Sequence, residues 1–123
     1  MTAEILDQFR RTASRSMLDA DVKARERDAA RERLATTAIE IADRVLCGAK
    51  NYDSAVTAYA VARENYHIAT ERALASAARR DEAFAAFHEA HAEWMAGKGR
   101  ATAAAFLNER VLERAQTEKE AHA

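Results

Sequence analysis

The sequence predicts an all-α fold: a long antiparallel helical hairpin, coiled-coil-like in its packing, with a short third helix. Three observations carry this expectation. Proline is absent from the 123 residues and glycine occurs only at 48, 97 and 99. Ala, Arg, Glu and Leu fill much of the rest, and all favour helix. Helical periodicity is then interrupted only at those glycines, and a 28-residue self-similarity runs through the middle of the chain: YDSAVTAYAVARENY, 52–66, returns as RDEAFAAFHEAHAEW, 80–94. One helical domain over 1–123 suits the length.

Helix one is expected over about 3–47. Its apolar positions Leu6, Phe9, Ala13, Met17, Ala20, Ala24, Leu34, Ala38, Ile41 and Val45 follow helical spacing. In "SRSMLDAD", Ser16 with Asp19 resembles a capping box, a place where the helix could kink or restart. Between Lys23 and Arg33 the stripe turns polar, with Arg27 and Arg31 where apolar residues would otherwise sit. In an antiparallel hairpin these lie opposite Glu64 to Arg72. Glu64 and Glu71 could pair with them and fix register, or the arginines could snorkel out of the seam. Gly48, followed by AKNYDS, reads as a helix C-terminus and a short turn, with Asn51 or Asp53 as the next N-cap.

Helix two is expected over about 53–96. Written in sevens, one column reads Tyr52, Tyr59, Tyr66, Ala73, Arg80, Phe87, Trp94; the column three residues on reads Ala55, Ala62, Ala69, Ser76, Ala83, Ala90. Large residues alternating with a ladder of small ones at a sustained 3.5-residue period imply a left-handed supercoil with a close neighbour. The 28-residue self-similarity is four heptads, so coiled-coil geometry accounts for it without a duplication. The run from Tyr52 to Ala62 also resembles one helix of a tetratricopeptide repeat. The 34-residue period and the turn in each unit of that family are missing, and the chain is not assigned to it.

Gly97 and Gly99, in GKGRAT, read as a second break. Helix three, about 101–118 with Phe106, Leu107, Val111 and Leu112, would fold back over Ile5, Leu6, Phe9, Phe87, Trp94 and Met95. The tail, 116–123 with His122, is expected to fray.

Nineteen basic and 20 acidic side chains give a formal charge of −1, a balance that projects no strong field toward nucleic acid or an anionic surface. The local excess at Arg10, Arg11, Arg15, Lys23, Arg25, Arg27, Arg31 and Arg33 is interleaved with acids such as Asp19 and Asp21 at helical spacing. It reads as a solvated face, with nucleic-acid association as an alternative. The single cysteine, Cys47, excludes an internal disulfide framework and reads as a small packing residue. No apolar run approaches the roughly 20 residues of a membrane span. Without a recognisable leader, the expected localisation is cytoplasmic.

No catalytic residue, cofactor or metal is assigned. Glu64-x-x-His67 has the spacing used in carboxylate-bridged di-iron bundles, which would require a dimeric metal oxidase, but Glu64, His67 and Glu32 point away from the seam. His88 and His91 are three apart, not the four of the zinc-protease motif, and read as polar flanks of the Phe87/Trp94 seam. GKGRAT lacks the upstream glycine and the Ser/Thr after lysine of a phosphate loop.

The functional expectation rests on what the rod leaves uncovered. Ile39 and Leu46, with Ala35 and Ala42 beside them, form a second apolar stripe on helix one; Val61 and Ile68 form one on helix two. Together they are candidates for a partner-binding surface at the hairpin tip, either between two copies, completing a four-helix arrangement by dimerisation, or toward a different protein. The expectation is a non-catalytic interaction module: an adaptor, chaperone, stalk or small helical inhibitor of a larger complex, as phages make. An amphipathic lipid- or granule-coating protein is a further alternative.

Overall fold

The computed structural model describes residues 1–121, apart from the side-chain surroundings at positions 99, 102, 103 and 106. The expectations for Phe106 and His122 fall outside the described residues. Two helices make up the described chain: α1 (Ala3–Leu46) and α2 (Asp53–Ala121). They pack on each other as an antiparallel hairpin.

Local chemistry sets three of the four helix ends where the sequence places them. Thr2 caps α1, its Oγ1 accepting from the Ile5 N–H at 3.3 Å. At the far end Gly48 takes φ 72°, and the Gly48 and Ala49 N–H groups donate back to the Val45 and Arg44 carbonyls at 3.1 and 3.0 Å. That is a Schellman closure, which needs the left-handed conformation that glycine tolerates best. Asn51 Oδ1 then accepts from the Asp53 N–H at 3.1 Å, turning the chain into α2. Cys47, expected as a packing residue, is exposed in this turn.

α1 runs through Ser16 without a break. The capping-box partner Asp19 is engaged elsewhere: it accepts a hydrogen bond from the Ser76 hydroxyl of α2 and lies 3.6 Å from Arg79 Nη2.

The seam follows a strict heptad. On α2 the most covered residues are those of the two expected columns, with Ala55, Ala62, Ala73, Ser76 and Ala90 buried and Tyr59, Tyr66, Phe87 and Trp94 half-buried. On α1 the covered positions at heptad spacing are Leu6, Phe9, Ala13, Ser16, Ala20, Lys23, Arg27, Ala30, Leu34, Thr37, Ile41 and Arg44, with Asp7, Asp19, Ala24 and Asp28 half-buried beside them. Of the expected α1 stripe, Met17, Ala38 and Val45 are exposed. The sequence-based stripe favoured apolar residues, and the true second column is mostly polar: Ser16, Lys23, Thr37 and Arg44, beside Phe9 and Ala30. Lys23, Thr37 and Arg44 find partners on their own helix, Lys23 with Glu26 at 3.6 Å. The Thr37 hydroxyl donates to the Leu34 carbonyl at 2.9 Å, and Arg44 reaches Glu40 at 3.2 Å. Arg27 and Arg31 turn to Asp28 on their own helix, at 3.4 and 3.6 Å, rather than to Glu64 or Glu71; Glu71 lies 3.2 Å from His67.

The expected break at Gly97 and Gly99 is not there. Residues 101–118 are helical, but as a continuation of α2, and the helix persists through the expected frayed stretch to Ala121. Gly97 is not left-handed, in contrast to Gly48. Two helical glycines cost about 1 kcal/mol each relative to alanine, too little to end a helix flanked on both sides by the strong helix formers of AEWMA and ATAAA. The segment therefore does not fold back over the open end, where Ile5 and Met95 stay exposed. It runs on beyond α1; Met1, just ahead of α1, meets α2 around Trp94, Gly97, Lys98 and Ala101.

Candidate functional site

The buried part of the molecule is made of small side chains. Its hydrophobic members among the described residues are all alanines, joined by Ser76. A buried methylene contributes about 0.8 kcal/mol, against 1.5–3 kcal/mol for a whole Leu or Ile side chain. Large apolar side chains instead lie outside, among them Leu18, Leu74, Ile39, Leu46 and Val61. The total accessible surface is 9656 Å2, where a compact protein of this mass would show about 6,600 Å2.

The heptad register locates the six predicted partner-binding residues, and all six are exposed. Val61 and Ile68 lie on one flank of the seam. They line adjoining stretches of a groove between the helices: about 400 Å3 with Thr36, Thr37, Ala58 and Ala62 around Val61, and about 330 Å3 with Glu26, Ala69 and Arg72 around Ile68. Ala30, Arg33 and Asn65 border both stretches. Ile39 and Leu46 sit five residues after seam positions Leu34 and Ile41, which puts them on the back of α1, opposite α2. Ala35 and Ala42 lie one residue after the same positions, on the flank away from the groove. The structure thus brings Val61 and Ile68 together and leaves Ile39, Leu46, Ala35 and Ala42 on other faces.

The groove residues that sequence reasoning missed are Ala30, Arg33, Thr36, Ala58 and Asn65. Their signal was the α1 register: reading the seam as 34, 37, 41, 44 rather than 34, 38, 41, 45 turns α1 by roughly 40° at 100° per residue. That rotation carries Ile39 to the back and Thr36 to the groove. Small residues along the floor leave room for an inserted side chain, while Arg33, Asn65 and Arg72 supply polar rims.

Midway along the rod lies a polar cross-link. The Ser76 hydroxyl, donating to Asp19, holds that carboxyl below its usual range; partial burial opposes this, and Lys23 and Arg79 add to it. Near the end of α1, hydrogen bonding from Arg10 lowers Asp7 in the same way, with Arg11 at 2.8 Å. Pairs such as Arg10–Asp7, Lys23–Glu26 and Arg31–Asp28 neutralise much of the local basic excess on α1.

The histidines among the described residues are accounted for by neighbours. His88 and His91 flank Phe87, with ring centroids 5.8 and 6.0 Å away. His67 is exposed beside Glu71. Among the described residues no three His, Cys, Asp or Glu side chains gather into a metal-binding group, and none of the described helices is long and apolar enough to cross a membrane. No protein-family profile, curated protein or solved structure matches the chain.

Proposed function

We propose that this protein is a non-catalytic interaction module that works by seating a helix of another protein in the groove beside Val61 and Ile68. One observation carries the reading: the hairpin buries alanines and keeps its large apolar side chains outside, with a surface about half again that of a compact protein of its mass. Where exposed apolar side chains adjoin, as Val61 and Ile68 do along the groove, such surface marks association. A groove floored by Ala30, Ala58 and Ala62 and walled by Val61 and Ile68 suits the helix-in-groove mode, in which apolar anchors recur every three or four residues. Arg33 and Arg72 on the rim select for acidic residues beside those anchors. Adaptors, chaperones, stalks and small helical inhibitors all operate in this way.

The test is site-specific photocrosslinking in the native cell extract. A crosslinker at Val61 is expected to give a discrete adduct that one at Leu74 does not, and Ala58→Glu is expected to abolish it. Equal labelling from both positions, or an adduct indifferent to Ala58→Glu, would refute the groove as the docking site.

A further inference from the structure

We propose that residues 98–121 of α2 pair antiparallel with the same segment of a second copy, each helix taking the place beside the other that α1 leaves open. The product is a two-fold symmetric, end-to-end dimer. This surface is separate from the groove and stands or falls independently of it.

The argument starts from continuity with the intramolecular seam. The columns that α1 covers on α2 pass through Phe87 and Trp94 and through Ala83 and Ala90. Carried on in sevens, they reach Ala101, Asn108 and Ala115 in the first and Gly97, Ala104, Val111 and, near the end, Glu118 in the second. Leu107 and Leu112 flank them. The same pattern of small and aliphatic residues thus persists in phase, on the same face, after α1 has ended. Among the described residues nothing covers it: Leu107, Val111 and Leu112 are 62, 65 and 69% exposed. A helix face that stays in register with a seam, yet lacks the helix that seam requires, asks for a helix running in the direction of α1.

A second copy supplies that helix at the right length. Met1, two residues ahead of α1, lines a pocket with Glu93, Trp94, Gly97, Lys98, Arg100 and Ala101, so we take the face that α1 leaves open as 98 to 121, and the antiparallel occupant that fills it without meeting α1 is residues 121–98 of the other chain. The dyad then falls between residues 109 and 110. Ala104 lies opposite the partner's Ala115, and Asn108 opposite the partner's Val111. The two Asn108 amides occupy neighbouring layers about 4.5 Å apart along the axis. That is within reach of each other, and a polar residue at such a position fixes register. At each junction the N-terminal end of α1 meets the C-terminal end of the other copy's α2. The partial positive charge of one helix end faces the partial negative charge of the other. A parallel pairing would instead set both copies of α1 on the same side and collide them.

The experiment is light scattering after size exclusion on the full chain over a range of concentrations. The expected mass is twice the chain's 13.6 kDa, falling to 13.6 kDa on dilution. Leu107→Glu with Val111→Glu is expected to hold the monomer mass at every concentration. Circular dichroism on the same samples checks that the hairpin stays helical. Val61→Lys, in the groove, is expected to leave the dimer intact. Spin labels at Lys119 on a Cys47→Ser background distinguish orientation: about 28 Å between copies for the antiparallel pair, about 10 Å for a parallel one. A monomer at all concentrations, a dimer broken by Val61→Lys but not by the double variant, or the short label distance would each overturn the proposal.

Discussion

The same chemical change made at two glycines should have opposite effects, because the two backbones differ. Gly48 sits at φ 72° and Gly97 lies inside α2, and in both places an added Cβ meets no atom within 4 Å. Sterics with neighbours therefore cancel, leaving conformation alone. At Gly48 an alanine must adopt the left-handed region, which costs about 1–2 kcal/mol, partly offset by the reduced freedom of the unfolded chain. A net loss of about 1 kcal/mol should lower the urea midpoint of the hairpin, followed at 222 nm, by roughly 0.5–1 M. At Gly97 an alanine removes a helix-interior penalty of about 1 kcal/mol. That site is at the end of the seam, so its effect belongs to local opening and not to the global midpoint. Amides just after position 97 should exchange roughly five-fold more slowly, with helicity slightly raised. If Gly97→Ala instead speeds exchange or lowers helicity, Gly97 is a left-handed cap, α2 ends there, and the account of a continuous helix is refuted.

Other outcomes follow from the seam and its polar cross-link. Ser76 is 1% exposed, so Ser76→Leu overfills the closest approach of the helices and should cost about 1–3 kcal/mol in urea unfolding. Asp7 and Asp19 are both lowered below 3.8 in the folded chain. Their contribution is therefore present above that value and is lost as pH falls through the lower, folded-state values. The urea midpoint should drop as pH falls below 3.8 and through the lower folded-state values, and Asp19→Asn should flatten part of that drop. Ile39→Ser and Leu46→Ser, on the back of α1, should leave hairpin stability within about 0.5 kcal/mol.

The α2 seam was legible because its two columns differ in size and are almost wholly uncharged, so the period of seven stands out from Tyr52 to Trp94. Gly48 was legible for a comparable reason: a left-handed glycine followed by Asn51 and Asp53 combines a stop with a start. The α1 register was harder to read. Ser16, Lys23, Thr37 and Arg44 occupy seam positions while Met17 and Val45 do not, because a slender alanine-based interface leaves edge room for long polar side chains to reach water. A search for apolar residues slides by one position under those conditions. That slip also displaced the candidate surface, sending Ile39 and Leu46 to the back and hiding Thr36 and Ala58. Gly97 and Gly99 misled because glycine permits a turn without requiring one. With strong helix formers on both sides, propagation is cheaper than a fresh nucleation.

Solution X-ray scattering tests most directly that this rod is completed by association, since it returns mass and length together. α2 has 69 residues, hence about 104 Å. At high concentration the account predicts twice 13.6 kDa and a maximum dimension of about 170 Å from two α2 helices overlapping by about 36 Å. On dilution it predicts one chain mass and about 104 Å. A particle of 13.6 kDa and about 70 Å at every concentration would contradict it, for it would mean a monomer with its last helix folded back.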